Sequence, residues 1–219
     1  MAEIYKFNEQ PRTINNGGYL KGQWIVWLNL GVTPNVSSII ESEEDNWMFQ
    51  AHTERLALKD NSLSAFIEVV DPKHLAMATT EDIEAILKYF NAIDDIESWR
   101  ELRRTQIQGY DCSENVNRFY LNETPMWLDK ATRVGLVNSL TIERDAGIET
   151  SELWVGLKMI EIKVVTALQL LATLELYAKT CYSVTAGHIA KVETSQSIEE
   201  LRDFNIAADY PYIPHFTVE

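Results

Sequence analysis

The stretch TTEDIEAILKYFNAI, residues 79–93, decides the class of fold, because the hydrophobic period changes there. Thr79 with Asp82 three residues on has capping-box spacing, and Ile83, Ile86, Leu87 and Phe90 follow at the interval of one helix face. The next segment, DDIESWRELRRTQIQG (94–109), opens with Asp94 and Glu97 and closes with Arg100, Arg103 and Arg104 ahead of Gly109. That order suits the helix dipole, and the glycine reads as a stop. Upstream the period is two. GGYLKGQWIVWLNLG (17–31) is rich in aromatic and β-branched residues. NWMFQAHTERLALKD (46–60) alternates with Trp47, Phe49 and Ala51 on one phase and Leu56 and Leu58 on the other. SAFIEVV (64–70), closed by Asp71-Pro72, reads as a third strand, and ESEED (41–45) as a charged turn.

Downstream both periods occur. VNRFYL (116–121) reads as a strand, NETP as a turn, and WLDKATRVGLVNSLTIERDAG (127–147) as a helix ending at Gly147. SELWVGLKMIEIKV (151–164) reads as a strand pair or one bent strand. TALQLLATLELYAKTCYSV (166–184), with Thr166 and Gln169 at capping-box spacing, is apolar on nearly all faces and reads as the central helix of its domain. TAGHIAKVETS reads as a shorter helix, SIEELRDF as a third capped one, and DYPYIPHFTVE as extended. The fold class is therefore α+β. A small antiparallel β N-terminal module is expected over 1–78, a helical linker over 79–109, and helices packed on a short β-sheet over 110–219.

The chain has 219 residues and a formal net charge of −14. A field of that sign repels phosphate backbones and anionic bilayers, so neither nucleic acid nor membrane insertion is expected. The longest apolar run, around 164–178, is broken by charged and polar residues and reads as a buried helix. MAEIYKFNEQ lacks the basic-then-apolar order of a secretory signal.

Chemistry is searched for with little return. There is no phosphate-binding glycine loop and no nucleophile elbow. His52, His74, His188 and His215 are scattered without metal-ligand spacing. Cys112 sits beside Asp111 and near Glu114, which oppose a thiolate, while Cys181 reads as a small core residue. Carboxylate pairs such as Asp111 with Asp129, or Asp145 with Glu149, have no support beyond abundance. No catalytic residue, cofactor or metal ligand is assigned. Trp24 and Trp27 fall on opposite faces of a regular strand, and with Trp47 they are candidate interface or ligand-contact residues.

One resemblance emerges from DCSENVNRFYLNETPMWLDKATRVGLVNSL (111–140), GIETSELWV, the helical run 167–205 and the closing DYP. Its frame is Asp111, Ser113, Val116, Asn117 and Phe119; then Trp127, Leu128 and Arg133; Leu153 and Trp154; Glu175, Tyr177 and Ala178; Thr185 and His188; Tyr210 and Pro211. It resembles the C-terminal domain of phage and prophage proteins of gut bacteria encoded among tail-fibre genes. The stretch AADYP lacks the glycine that the family more often has before Tyr-Pro. The resemblance implies a virion protein of the tail, made in the host cytoplasm, without enzymatic activity. It would be a homo-oligomer that contacts other tail or fibre proteins. A fibre-assembly chaperone and a receptor- or glycan-binding tip are the alternatives. The residues themselves read as structural: Asp111 and Ser113 turn the chain into a strand, Trp127 wedges strand against helix, Trp154 and Leu157 join the core, and Glu175 bonds His188.

Overall fold

The computed structural model describes residues 3–7, 10–34, 47–93, 95–155 and 158–218, without the side chains of 3–7, 47, 48, 153, 155 and 158. The expected turn at 41–45, Asp94 and Leu157 lie outside the described residues, as does the side chain of Trp47. The fold is α+β, with helices and mainly antiparallel sheets. The chain divides into two units. Unit 1 is Met1–Cys112 with Gly187–Ile206, and unit 2 is Ser113–Ala186 with Ala207–Glu219.

Unit 1 is built on a four-stranded antiparallel sheet of β1 (Glu3–Phe7), β2 (Ile14–Leu20), β3 (Gln23–Pro34) and β4 (Trp47–Leu58), in the order β1-β4-β3-β2. Leu20 pairs with Gln23 across a two-residue turn, where Lys21 and Gly22 both have positive φ. That backbone matches the twist of the strands it joins, and glycine adopts it without strain. Trp24, Val26, Leu28 and Leu30 share one face of β3 and contribute to the core cluster. Leu56 and Leu58 supply that face of β4. On the opposite face Asn29 is buried and fully engaged: it donates to the Arg12 carbonyl (2.9 Å) and accepts from Thr53 (2.9 Å).

SAFIEVV is helical, not a strand. Helix α1 (Leu63–Val69) starts where the Ser62 hydroxyl accepts from the Ala65 N–H (3.2 Å). Short apolar runs do not declare their period. Here Phe66 and Val70, one helical turn apart, both enter the core. Helix α2 (Pro72–Leu75) follows, capped by Asp71, whose carboxylate accepts from Lys73 N–H (2.9 Å), with Pro72 at its first position.

Helix α3 (Thr80–Tyr89) has the expected capping box: Thr79 accepts from Asp82 N–H and Asp82 from Thr79 N–H. Helix α4 (Ile96–Asp111) is capped by Asp95. The two helices are not a linker. Ile83, Ile86, Leu87, Trp99, Leu102 and Ile107 all lie in the core cluster shared with the sheet. Nor does Gly109 stop α4. A Cβ at that position would lie 1.8 Å from the Pro72 carbonyl oxygen, so the glycine permits backbone contact between α2 and α4.

Unit 2 contains β5 (Phe119–Leu121), β6 (Thr124–Met126), α5 (Lys130–Asp145), the β7 (Thr150–Val155) and β8 (Lys158–Lys163) pair, and β9 (His215–Phe216). Strand β9 joins β5 in parallel, and β7–β8 is an antiparallel pair. The segment 166–195, expected as two helices, is one: α6 (Val164–Thr194), whose residues from Gly187 onward belong to unit 1. Glycine in a helix interior costs only about 1 kcal/mol relative to alanine. That is too little to end a helix whose next turns bury His188 and Val192. Thr166, expected near a cap, lies within this helix. Helix α7 (Ile198–Arg202) is capped by Ser197 as expected.

Candidate functional site

In unit 2 the residues of the tail-protein resemblance act mainly as latches. Asp129 caps α5, accepting from the Thr132 N–H (2.9 Å) and hydroxyl (2.7 Å). Those bonds hold its carboxyl below the ordinary range. One turn along, Arg133 is buried, donates to the Leu128 carbonyl (2.6 Å) and Glu175 (3.1 Å), and lies over the Trp127 ring at 5.3 Å. It thus ties the segment before α5 to α6. Tyr177 donates to the Val116 carbonyl (2.9 Å), and Thr185 bonds the Tyr210 hydroxyl (2.7 Å). Phe119 packs with Leu121 and Leu174. The Ser113 carbonyl accepts from Val116 and Asn117 N–H groups, which turns the chain toward β5. Asp111 is the last residue of α4, Cys112 is an exposed free thiol, and Pro211 is half-buried. The expected Glu175–His188 bond does not form. Glu175 pairs with Arg133, and His188 belongs to unit 1, edge-on to Phe204 at 5.2 Å.

Trp154 departs most from expectation. It is 69% exposed, so it is not a core residue. The register explains why. Ser151–Ile162 and Ile160 occupy one face of the hairpin, and Ile162 is buried; Trp154–Met159 and Glu152–Glu161 occupy the other. A pattern of alternation cannot say which phase is inward until the register is set. The exposed face thus carries a tryptophan opposite a half-exposed methionine, with two glutamates alongside. A groove of about 540 Å³ runs between α5 and α6, bordered by Val134, Val137, Leu168 and Ala172 with Arg133 and Arg144. Val134, Val137 and Ile142 of α5, and Val165, Leu176 and Tyr182 of α6, are also exposed. Isolated apolar side chains on a surface are ordinary; unit 2 exposes several.

In unit 1, Trp24 is half-buried against the core and meets Tyr19 edge-on at 5.5 Å, while Trp27 is 40% exposed. The opposite faces expected for the pair are therefore observed. Trp47 begins β4.

One further cluster has no signature in the residue spacing. His52 and Glu54 lie two apart on β4, on the face that carries Leu56 and Leu58. His74 of α2 meets them there. Its Nδ1 is 2.8 Å from the Glu54 carboxylate, and its ring centroid is 4.1 Å from that of His52. One ligand atom from each of the three lies within 4.8 Å of the others. It is the set that could hold a metal ion among the described residues. Sequence spacing missed it because 20 residues and helix α1 separate Glu54 from His74.

No protein-family model, no curated protein and no solved structure matches this chain. No helix among the described residues is long and apolar enough to cross a membrane.

Proposed function

We propose that this chain is a non-enzymatic structural protein of a bacteriophage tail, one that attaches or connects fibres through protein–protein contacts made by unit 2. The observation that carries the reading is the outward Trp154–Met159 pair on the β7–β8 hairpin. Tryptophan is the residue most enriched where binding energy concentrates, and covering it on docking is worth on the order of 2–3 kcal/mol. The resemblance of residues 110–218 to tail-fibre-associated domains supplies the setting. The latches at Arg133, Tyr177 and Thr185 fit the same role, since they hold the scaffold that presents the hairpin. Copies of the chain on a symmetric tail would dock through the same face.

The test is a protein inventory of purified phage particles by mass spectrometry. Stoichiometric presence is the expected result. Presence in infected cells but absence from particles would replace this reading with that of a fibre-assembly chaperone.

A further inference from the structure

We propose that His52, Glu54 and His74 form a binding site for one divalent first-row transition cation, with Zn²⁺ the best match. The proposal concerns unit 1 and stands apart from the docking role of unit 2.

The donor set is two imidazoles and one carboxylate. Nitrogen donors favour zinc and its neighbours over Mg²⁺ and Ca²⁺, which take oxygen. Three protein ligands with a solvent molecule in the fourth position make a common tetrahedral zinc arrangement. Zinc–ligand bonds of about 2.0–2.1 Å place tetrahedral ligand atoms roughly 3.3 Å apart. The donor atoms are already near one another: His74 Nδ1 is 2.8 Å from the Glu54 carboxylate, and one ligand atom from each residue lies within 4.8 Å of the others. Small side-chain rotations would seat the ion.

The frame that holds the ligands is rigid. On β3, Leu30 is the register partner of His52 and Leu28 that of Glu54, and both leucines are buried. His74 is fixed from the other side. Asp71 caps its helix, Leu75 is fully buried, and Pro72 touches α4 at Gly109. Little ordering remains to be done when an ion arrives, which is the condition for tight binding. The site is also open: the side chains of Glu54 and His74 are 17% and 35% exposed. Water can therefore reach the fourth position. An ion here would bridge β4 to α2, two elements joined through α1, and would stabilise the folded unit by mass action.

The experiment uses the untagged full chain, stripped with chelator and titrated with ZnCl₂ in a calorimeter. One Zn²⁺ per chain is expected, with a rise in the thermal midpoint and no response to CaCl₂. His52→Gln and His74→Gln should each weaken binding by at least about tenfold, the scale on which even supporting partners of a metal site act. No binding, undiminished binding in both variants, or an equal response to Ca²⁺ would overturn the proposal. Circular dichroism checks that the variants fold. Should either fail, CoCl₂ added to the unaltered chain decides. Intense visible bands of four-coordinate cobalt support the site, and the weak spectrum of hydrated cobalt rejects it.

Discussion

Trp99 and Trp154 summarise the contrast between the two units. Trp99 is 1% exposed, donates its indole N–H to the Ile93 carbonyl (3.1 Å) and sits in a contiguous cluster of buried side chains from strands and helices alike. Trp154 lies on a two-stranded hairpin and shows most of its surface to solvent. Unit 1 buries many of its apolar residues in one large cluster, whereas clusters of unit 2 centred on Leu140–Leu171 and on Phe119–Leu174 are small. Exposed large apolar residues are correspondingly concentrated in unit 2, the shorter of the two, among the described residues. A unit that leaves such surface uncovered has stability to gain from a partner; one with a closed core does not. The contrast teaches that two units of one chain can treat their apolar residues differently: unit 1 covers most of them itself, while unit 2 leaves more of them to solvent.

The comparison breaks most readily at the contact between α2 and α4. Gly109→Val would drive a side chain into the Pro72 carbonyl, with backbone on both sides and nowhere to relax. A loss above about 3 kcal/mol is expected by denaturant titration, enough to unfold a marginal domain. Trp99→Ala should cost about 3–5 kcal/mol by the same measurement, as a large core side chain removed from a closed cluster.

Next comes Arg103, buried and held by the Leu201 and Arg202 carbonyls (2.8 and 2.9 Å), Gln106 (2.7 Å) and Thr80 (3.1 Å). Burial pushes its pKa from the usual guanidinium range down to about 10, so it is charged at neutral pH. Arg103→Ala would strand several of those acceptors and cost about 3 kcal/mol. The sign of its linkage is plain. The folded pKa lies below the unfolded one, so the unfolded chain binds more protons only above about pH 10. The cost of Arg103→Ala should therefore be flat between about pH 6 and pH 9; a slope there would mean that a partner of Arg103 titrates.

Thr79→Ala removes half of a capping box and should cost about 1 kcal/mol, read as a small fall in the denaturation midpoint. The smallest stability effect is expected at Trp154→Ala, within about 1 kcal/mol, because little of the ring is covered. Its effect on assembly should be the largest of all, seen as lost self-association or fibre binding in light scattering. A stability loss like that of Trp99→Ala would erase the distinction between the units.

How much of this was legible in the sequence follows from the range of each signal. The helix after Thr79, the caps at Thr79 and Ser197, the existence of a helix within 127–147 and the strand from Trp47 depend on residues within a few positions of one another. Local chemistry determined them, and with them the α+β class. The opposite faces of Trp24 and Trp27 belong to the same category, since strand geometry alone requires them. What only the tertiary structure decided involves partners distant in the chain. SAFIEVV became a helix because Phe66 and Val70 found the core formed by the sheet and α3. Gly109 proved to be a point of backbone contact because Pro72 arrives there from another helix. Trp154 turned outward when the β7–β8 register put Ile160 and the buried Ile162 on the other face. His52, Glu54 and His74 converged because a strand and a helix carried them to one place. Spacing along a chain encodes neighbours within a turn or a pleat, whereas burial and convergence are properties of the packed whole.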